Sequence, residues 1–265
     1  MQVARPLTAA IAMMAALLLS AAARAEVVDL KTRGTTIRLL IEGPAQPTHV
    51  VALFAGGRGD VAIKNDGSIG MRDTDFAVRT RALLQSAGIA TAVIAAPNDM
   101  GKKLMDLRDS DDYATDFGNV MAYLRKRFQV PVWAHGTSQG TLSVVFPVSS
   151  IQDQRLRPDG LILSSPVTLP LREFKLTLMD AKLDAVTGPV LIVAHDRDSC
   201  KRSPPSGAQR LADELKRASP VRVLVVSGHN EQAKGHSCAV TSQHSYPGME
   251  QEVIDAVLRF IKAPN

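Results

Sequence analysis

The stretch that decides the fold is PVWAHGTSQG, residues 131–140. Its first four residues predict a short buried strand, and the periodicity of residues 137–148 predicts a helix. Between them lies a Gly-x-Ser-x-Gly pattern, Gly136-Thr137-Ser138-Gln139-Gly140. Glycines two before and two after the serine remove the Cβ atoms that would clash in a tight strand-to-helix turn. The pattern therefore predicts that Ser138 stands above the carboxyl end of a sheet, at the N-terminus of a helix.

Apolar runs typical of strands alternate with helical periodicity on both sides of this stretch. Strands are predicted at residues 36–42, 49–54, 89–95, 131–134, 160–163, 189–194 and 221–226, and helices at 75–87, 111–128, 137–148, 208–218 and 249–262. The alternation predicts the α/β class, with a mostly parallel twisted sheet covered by helices on both faces. Residues 166–188 leave room for one short helix or loop, so any lid over the sheet is small.

The N-terminus has the pattern of a secretory signal peptide. Arg5 precedes an apolar run over residues 9–23, which closes on Ala23-Arg24-Ala25. The run is shorter than the roughly 20 residues that a membrane-spanning helix needs. We therefore expect a signal peptide over residues 1–25, cleaved after Ala25, and a periplasmic or secreted protein without stable membrane insertion. Residues 26–265 are long enough for a single α/β domain and too short for two.

The charge of the chain gives no sign of a nucleic-acid partner. The formal net charge is +5, and it is spread along the sequence. The densest basic cluster, Arg125-Lys126-Arg127, closes a predicted helix, where cations interact favourably with the helix dipole. We expect no binding of nucleic acid.

The sequence contains two cysteines, Cys200 and Cys238. An even pair in an exported chain predicts a disulfide. On the chain-entropy argument, closing this loop stabilises the fold by roughly 4 kcal/mol.

Four motifs together resemble those of the α/β-hydrolase superfamily, and most of all a group of secreted bacterial serine hydrolases. They are FAGGRG at residues 54–59, GTSQG at 136–140, DSC at 198–200 and HSYPGME at 244–250. In the last motif, Ser245 stands where the group is expected to have glycine. The resemblance runs from the early glycine loop to the last helix, and it implies the α/β-hydrolase fold.

The resemblance also implies a catalytic triad in the chain order serine, acid, histidine, with Ser138 as the nucleophile. The acid is expected just after the strand predicted at residues 189–194. Asp196 and Asp198 both stand there, and the usual spacing of the fold favours Asp198.

Three histidines follow in the sequence as candidates for the base. His244 lies just before the last predicted helix and matches the spacing of the secreted group. His236, in a Gly-His pair, is the alternative base. His229 directly follows a predicted strand, which is early for this role.

An oxyanion hole is implied at two backbone positions. In this fold, one N–H group comes from the residue after the nucleophile, here Gln139, and one from the loop after an early strand, here Gly57 or Arg58. Donors fixed in place before the reaction stabilise a tetrahedral intermediate.

These residues lead us to expect hydrolysis of a small-molecule acyl ester through an acyl-enzyme, with no metal and no organic cofactor. Two alternatives stay open at this point. The same triad can cleave an amide or peptide, and a hydrolase fold can serve as a binding protein without catalysis.

Overall fold

The computed structural model describes residues 25–228 and 234–263. In chain order the strands are β1 (Glu26–Thr32), β2 (Thr35–Glu42), β3 (His49–Phe54), β4 (Ala62–Ile63), β5 (Ile69–Met71), β6 (Ile89–Ile94), β7 (Val132–Thr137), β8 (Gly160–Ser164), β9 (Gly188–His195) and β10 (Ala218–Val226). Among the described residues, eight strands form one sheet in the order β1-β2-β6-β3-β7-β8-β9-β10, and β4 pairs with β5 in a small hairpin. The β1–β2 and β2–β6 pairs are antiparallel, whereas all pairs from β6 to β10 are parallel.

Helices cover both faces of the sheet. They are α1 (Phe76–Arg79), α2 (Arg81–Ser86), α3 (Asp111–Phe128), α4 (Gly140–Ser150), α5 (Pro205–Glu214) and α6 (Glu250–Ile261). One apolar core packs α3, α4 and α5 on the sheet, with Phe117 and Leu211 among its buried side chains. The other packs α1, α2 and α6 on the opposite face, around Phe76 and Val257. The predicted mostly parallel sheet with helices on both faces is confirmed.

Several element boundaries differ from the sequence prediction. The strand β1 was not predicted, because its sequence, EVVDLKT, mixes charged and apolar residues. Such mixing is typical of an edge strand with one solvent-exposed face. The helix predicted at residues 75–87 is divided into α1 and α2 at Thr80, whose hydroxyl bonds to the carbonyl of Phe76. The helix predicted from residue 137 begins at Gly140, and α5 ends at Glu214 rather than at residue 218.

The segment at residues 166–188 is short, as predicted, and none of its residues lines the cavity that contains Ser138. It contains two single 3₁₀ turns, Leu178–Asp180 and Leu183–Ala185. In the described ranges no helix has the length and apolar character needed to cross a bilayer. Residues 1–24 of the predicted leader lie outside the described residues.

The register of the parallel strands brings four loops to one edge of the sheet. Phe54 at the end of β3 pairs with Gly136 in β7, and Thr137 pairs with Ser164 at the end of β8. Ser164 in turn pairs with Val193 in β9. Because parallel strands end at the same edge, the loops after β3, β7, β8 and β9 meet there, where ligands bind in open α/β sheets.

Candidate active site

The turn at Ser138 has the geometry that the sequence predicted. Ser138 adopts a left-handed backbone with φ of 53°. A Cβ at Gly136 would lie 2.3 Å from the carbonyl oxygen of Gly140, and a Cβ at Gly140 would lie 2.1 Å from the carbonyl oxygen of Phe54. Both distances are far below van der Waals contact, so the two positions require glycine.

Neighbouring elements hold this turn in place. The N–H of Ser138 donates to the carbonyl of Ser164 at 2.8 Å, and its carbonyl accepts from the N–H of Thr141 at 2.9 Å and from the Thr141 hydroxyl at 2.6 Å. A left-handed non-glycine residue costs about 1–3 kcal/mol, and it persists only where its surroundings fix it. These bonds anchor Ser138 between β8 and the start of α4.

Asp198 and His244 form a buried pair. Nδ1 of His244 lies 2.8 Å from Oδ2 of Asp198, and their side chains are 3% and 1% exposed. The second carboxylate oxygen of Asp198 accepts from the N–H of Cys200 at 2.8 Å. Asp196, the other candidate acid, is more exposed and lies 3.1 Å from Nδ1 of His195. Of the two aspartates, the structure therefore brings Asp198 to His244.

The other histidines differ in placement. His236 is exposed and does not line the cavity that contains Ser138. His229 lies outside the described residues. His135 is fully buried on β7, where Nε2 lies 2.8 Å from the hydroxyl of Ser164, and burial lowers its pKa to about 3.

A cavity of about 240 Å³ lies at the meeting point of the loops. Its wall includes Ser138 and His244 together with the loop at Gly56 and Gly57. Within the described residues, Nε2 of His244 has no hydrogen-bond partner. A larger cavity of about 480 Å³ lies beside the hairpin β4–β5 and contains none of the predicted site residues. We place the candidate site in the smaller cavity, because it combines a nucleophile with an unbonded imidazole nitrogen.

The loop after β3 and the residue after Ser138 carry unbonded backbone N–H groups at or next to residues of the cavity wall, which includes Gly57 and Ser138. In the described part of the chain, the N–H groups of Gly57, Arg58 and Gln139 donate to no protein acceptor. The side chain of Arg58 is exposed and does not line the cavity, so only its backbone is a candidate for the oxyanion hole.

Two side chains that the sequence did not single out support this loop. Asp75 accepts hydrogen bonds from the N–H of Gly56 at 2.8 Å and of Ala77 at 3.1 Å, and burial raises its pKa to about 6. Arg108 is fully buried and donates to the carbonyl of Gly57 at 2.7 Å. No local sequence signal predicts their contacts with this loop, since Gly56 lies 19 positions from Asp75 and Gly57 lies 51 positions from Arg108.

Tyr246 and Arg79 hold the histidine loop. The hydroxyl of Tyr246 donates to the carbonyl of Val193 at 2.9 Å and accepts from the N–H of Ser165, whose own hydroxyl donates to the carbonyl of His244 at 2.7 Å. Arg79 donates to the hydroxyl and the carbonyl of Ser245. The serine that replaces the expected glycine is therefore bonded inside the site.

Solved structures share this architecture over almost the whole chain. A cold-adapted esterase from an Arctic intertidal metagenomic library matches with a TM-score of 0.62 at 16% identity, over 91% of this chain and 95% of that one. The dienelactone hydrolase of Anabaena variabilis gives 0.61 at 14% identity, over 90% and 97%. A thermophilic esterase of Thermogutta terrifontis gives 0.57 at 17% identity, over 90% and 92%. The chain has the α/β-hydrolase fold.

No protein-family model matches the sequence, and no curated protein matches it significantly. Because the α/β-hydrolase fold supports many reactions, the reaction has to be argued from the site. Over the described ranges, no group of three or more His, Cys, Asp or Glu side chains is placed to hold a metal ion.

The predicted disulfide is present in this α/β-hydrolase fold. Cys200 and Cys238 are bonded, with their Cα atoms 4.7 Å apart. Cys200 stands two residues after Asp198, and Cys238 lines the cavity six residues before His244. The bond therefore ties the loop of the acid to the loop of the histidine.

Removing both cysteines should destabilise the fold measurably. We expect the Cys200→Ala/Cys238→Ala variant to lose roughly 4 kcal/mol of unfolding free energy in a urea titration, because the bond closes a loop with a sequence separation of 38 residues. The matched control is the wild-type protein in reducing agent, which should show the same loss. Equal unfolding midpoints for the oxidised wild type and the variant would contradict the prediction.

Proposed function

We propose that this chain is an exported serine hydrolase that cleaves a carboxylic ester through an acyl-enzyme. One observation supports the proposal most strongly. Ser138, on its left-handed turn, shares a cavity with the unbonded Nε2 of His244, and the other ring nitrogen of His244 is bonded to buried Asp198. This is the arrangement in which a weak nucleophile, a base and a group that orients the base act together.

In the first half of the proposed reaction, Oγ of Ser138 attacks the carbonyl carbon of the ester and its proton passes to Nε2 of His244. Asp198 holds the tautomer with the proton on Nδ1 and stabilises the imidazolium. The negative oxygen of the tetrahedral intermediate accepts from the N–H of Gln139 and from that of Gly57 or Arg58. The bond to the alcohol oxygen then breaks, and the alcohol leaves with the proton from His244.

Water completes the cycle. It attacks the acyl group on Ser138 while His244 accepts its proton, and a second tetrahedral intermediate forms at the same oxyanion donors. The bond to Oγ then breaks, Ser138 regains its proton from His244, and the carboxylic acid departs. No group outside the chain except water takes part in this scheme.

Arg108 has a positioning role in the proposal. Besides the carbonyl of Gly57, it donates to Oε1 of Gln139 at 3.2 Å and to the hydroxyl of Ser143 at 2.7 Å. It therefore links the loop after β3 to the start of α4, which are the two sources of oxyanion donors. Holding the Gly57 carbonyl fixes the plane of the peptide whose N–H belongs to Arg58.

The Arg108→Met variant should be a slow enzyme. We expect kcat to fall by about 10- to 100-fold, with a smaller change in KM. Complete loss of one oxyanion donor lowers kcat by about 10²–10³-fold, and a donor that is merely misplaced lowers it less. The matched control is Arg155→Met: the Arg155 side chain is 87% exposed and, among the described residues, its guanidinium pairs with Asp153 alone. A kcat of Arg108→Met within twofold of the wild-type value would contradict the positioning role proposed for Arg108.

The proposal as a whole is tested on purified residues 26–265. A fluorophosphonate probe should label Ser138, identified by peptide mass spectrometry, and 4-nitrophenyl esters of increasing acyl length should be turned over with a burst of one equivalent of nitrophenol. A parallel set of 4-nitroanilides separates ester from amide hydrolysis. Binding of esters without turnover or labelling would favour the non-catalytic alternative.

Export is a second part of the proposal. The leader pattern over residues 1–25 and the disulfide between Cys200 and Cys238 both support it, because disulfides persist in oxidising compartments. Expression of the full chain in a Gram-negative host tests it: N-terminal sequencing of periplasmic protein should begin at Glu26. Recovery of uncleaved chain in the cytoplasm alone would contradict it.

A further inference from the structure

Arg72 is a charged side chain of the cavity wall that the proposed reaction does not use. It lines the same cavity as Ser138 and His244, and its side chain is 30% exposed. Its backbone is left-handed, with φ of 70°, although it is not glycine. A backbone of this kind is costly and tends to occur at functional sites.

The guanidinium of Arg72 is only partly bonded. Nε and Nη2 lie 2.9 and 2.8 Å from one oxygen of Asp60. In the described part of the chain, Nη1 has no protein acceptor. A Cβ built at Gly57 would lie 3.0 Å from Nη1 and 3.1 Å from Cζ and Nη2 of Arg72, so the whole guanidinium packs against Gly57. The unbonded donor is therefore packed against the loop that supplies the proposed oxyanion donors, at the wall of the cavity.

The acids around Arg72 leave this donor unused. Asp60 bonds to the other two nitrogens through a single oxygen. Asp75, which also lines the cavity, directs its two oxygens to the N–H groups of Gly56 and Ala77. Arg72 thus brings to the cavity wall a guanidinium with one nitrogen, Nη1, that has no acceptor among the described residues.

Two further arginines carry buried positive charge, and one of them, Arg108, bonds to Gly57 in the cavity wall. Arg108 and Arg202 are both buried, and within residues 25–228 and 234–263 neither pairs with a carboxylate. Burial lowers the pKa of Arg108 to about 10, and the charges of Arg202 and Arg72 lower it as well. Arg108, which bonds to Gly57 in the cavity wall, therefore lies within electrostatic range of both Arg72 and Arg202. Its positive charge adds to the attraction of an anion to Arg72.

The remaining wall is small and partly apolar. Met71 and Val240 line the cavity and are 46% and 40% exposed. The volume of about 240 Å³ is below the 300–1,000 Å³ of pockets that hold drug-sized ligands. The cavity therefore suits a short chain with apolar carbon atoms and one charged end.

We propose that the substrate of this site is a small ester that also carries a free carboxylate, and that Nη1 of Arg72 binds this carboxylate at the cavity wall. The inference rests on the proposed ester hydrolysis at Ser138 and adds the substrate class. Charge-assisted bonds from a guanidinium to a carboxylate are about twice as strong as neutral ones, so the carboxylate orients the ester relative to the nucleophile.

The test compares matched pairs of esters. The mono-4-nitrophenyl ester of glutaric acid places the carboxylate on the acyl side, and 3-acetoxybenzoate places it on the alcohol side. Each is measured beside its own neutral methyl ester, with spontaneous hydrolysis subtracted. We expect wild type to prefer at least one anionic ester over its neutral partner by tenfold or more in kcat/KM, mainly through KM. The preference should weaken in 0.5 M NaCl, because a partly exposed charge is screened by salt.

Variants assign the preference to Arg72. In Arg72→Met the ratio of kcat/KM for the anionic and the neutral ester should fall by about tenfold, and Arg72→Lys should keep part of it. The control is Arg210→Met, an exposed arginine on α5, which should leave the ratio as in wild type. Circular dichroism and an unfolding curve verify that each variant is folded.

The outcomes separate the two proposals. If wild type hydrolyses the neutral esters without preferring either anionic one, the carboxylate inference is overturned and ester hydrolysis stands. If the preference survives in Arg72→Met, the assignment to Arg72 is wrong. If wild type hydrolyses no ester and Ser138 is not labelled by the fluorophosphonate, the proposed function fails and this inference fails with it.

Discussion

Ser138→Ala is expected to lose ester hydrolysis down to background, a fall of roughly 10⁴-fold or more in kcat. The proposed acyl-enzyme forms on the hydroxyl of Ser138, and removing this oxygen removes the covalent intermediate. The variant should fold normally. Serine and alanine have a similar conformational free energy in a left-handed backbone with φ of 53°, and the hydrogen bonds to Ser164 and Thr141 are made by the backbone of residue 138.

The measurement combines turnover, labelling and stability. Ser138→Ala should neither hydrolyse a 4-nitrophenyl ester nor take up a fluorophosphonate, and its urea midpoint should stay close to that of wild type. Ser150→Ala is the matched control, since Ser150 lies exposed at the far end of the same helix, α4. It should keep both activity and labelling. Wild-type kcat in Ser138→Ala would show that another residue is the nucleophile.

The parts of the fold that the sequence predicted correctly depend on local sterics and periodicity. The turn at Ser138 follows from Gly136 and Gly140, where any Cβ would collide with a backbone carbonyl within a few residues or on the adjoining strand. The inner parallel strands were predicted because both of their faces are buried and they appear as continuous apolar runs; these are β3, β6, β7, β8 and β9. Edge strand β1 escaped prediction because it is only partly buried: Thr32 is its one buried residue, and charged and apolar residues are mixed along it.

The parts that escaped prediction depend on long-range contacts. Resemblance favoured Asp198 over Asp196, but only the folded chain shows which carboxylate lies against His244, 46 residues further on. Arg72 precedes Asp73, and Arg108 lies between Asp106 and Asp109, in loop contexts typical of solvated side chains. Their contacts with Gly57 form only when the loops come together at the carboxyl edge of the sheet, so no local sequence pattern predicts them.

The pair His244→Ala and His236→Ala decides which histidine is the base. His244 is buried, its Nδ1 is bonded to Asp198, and it lines the cavity with Ser138. His236 is exposed and contributes nothing to the cavity wall. We therefore expect His244→Ala to lower kcat by several orders of magnitude, as removal of a triad member does. His236→Ala should change kcat by less than about tenfold, which corresponds to roughly 1.4 kcal/mol.

Both variants are measured on one ester, with circular dichroism to verify folding. The comparison is well matched, because each variant removes one imidazole from the loop that the disulfide ties to the acid loop. His244→Ala also leaves Asp198 buried without its partner, so its stability should fall somewhat while that of His236→Ala does not. If His236→Ala were inactive and His244→Ala fully active, the base would be His236. The pair of His244 and Asp198 would then be structural, and the order of events proposed at Ser138 would need a different proton acceptor.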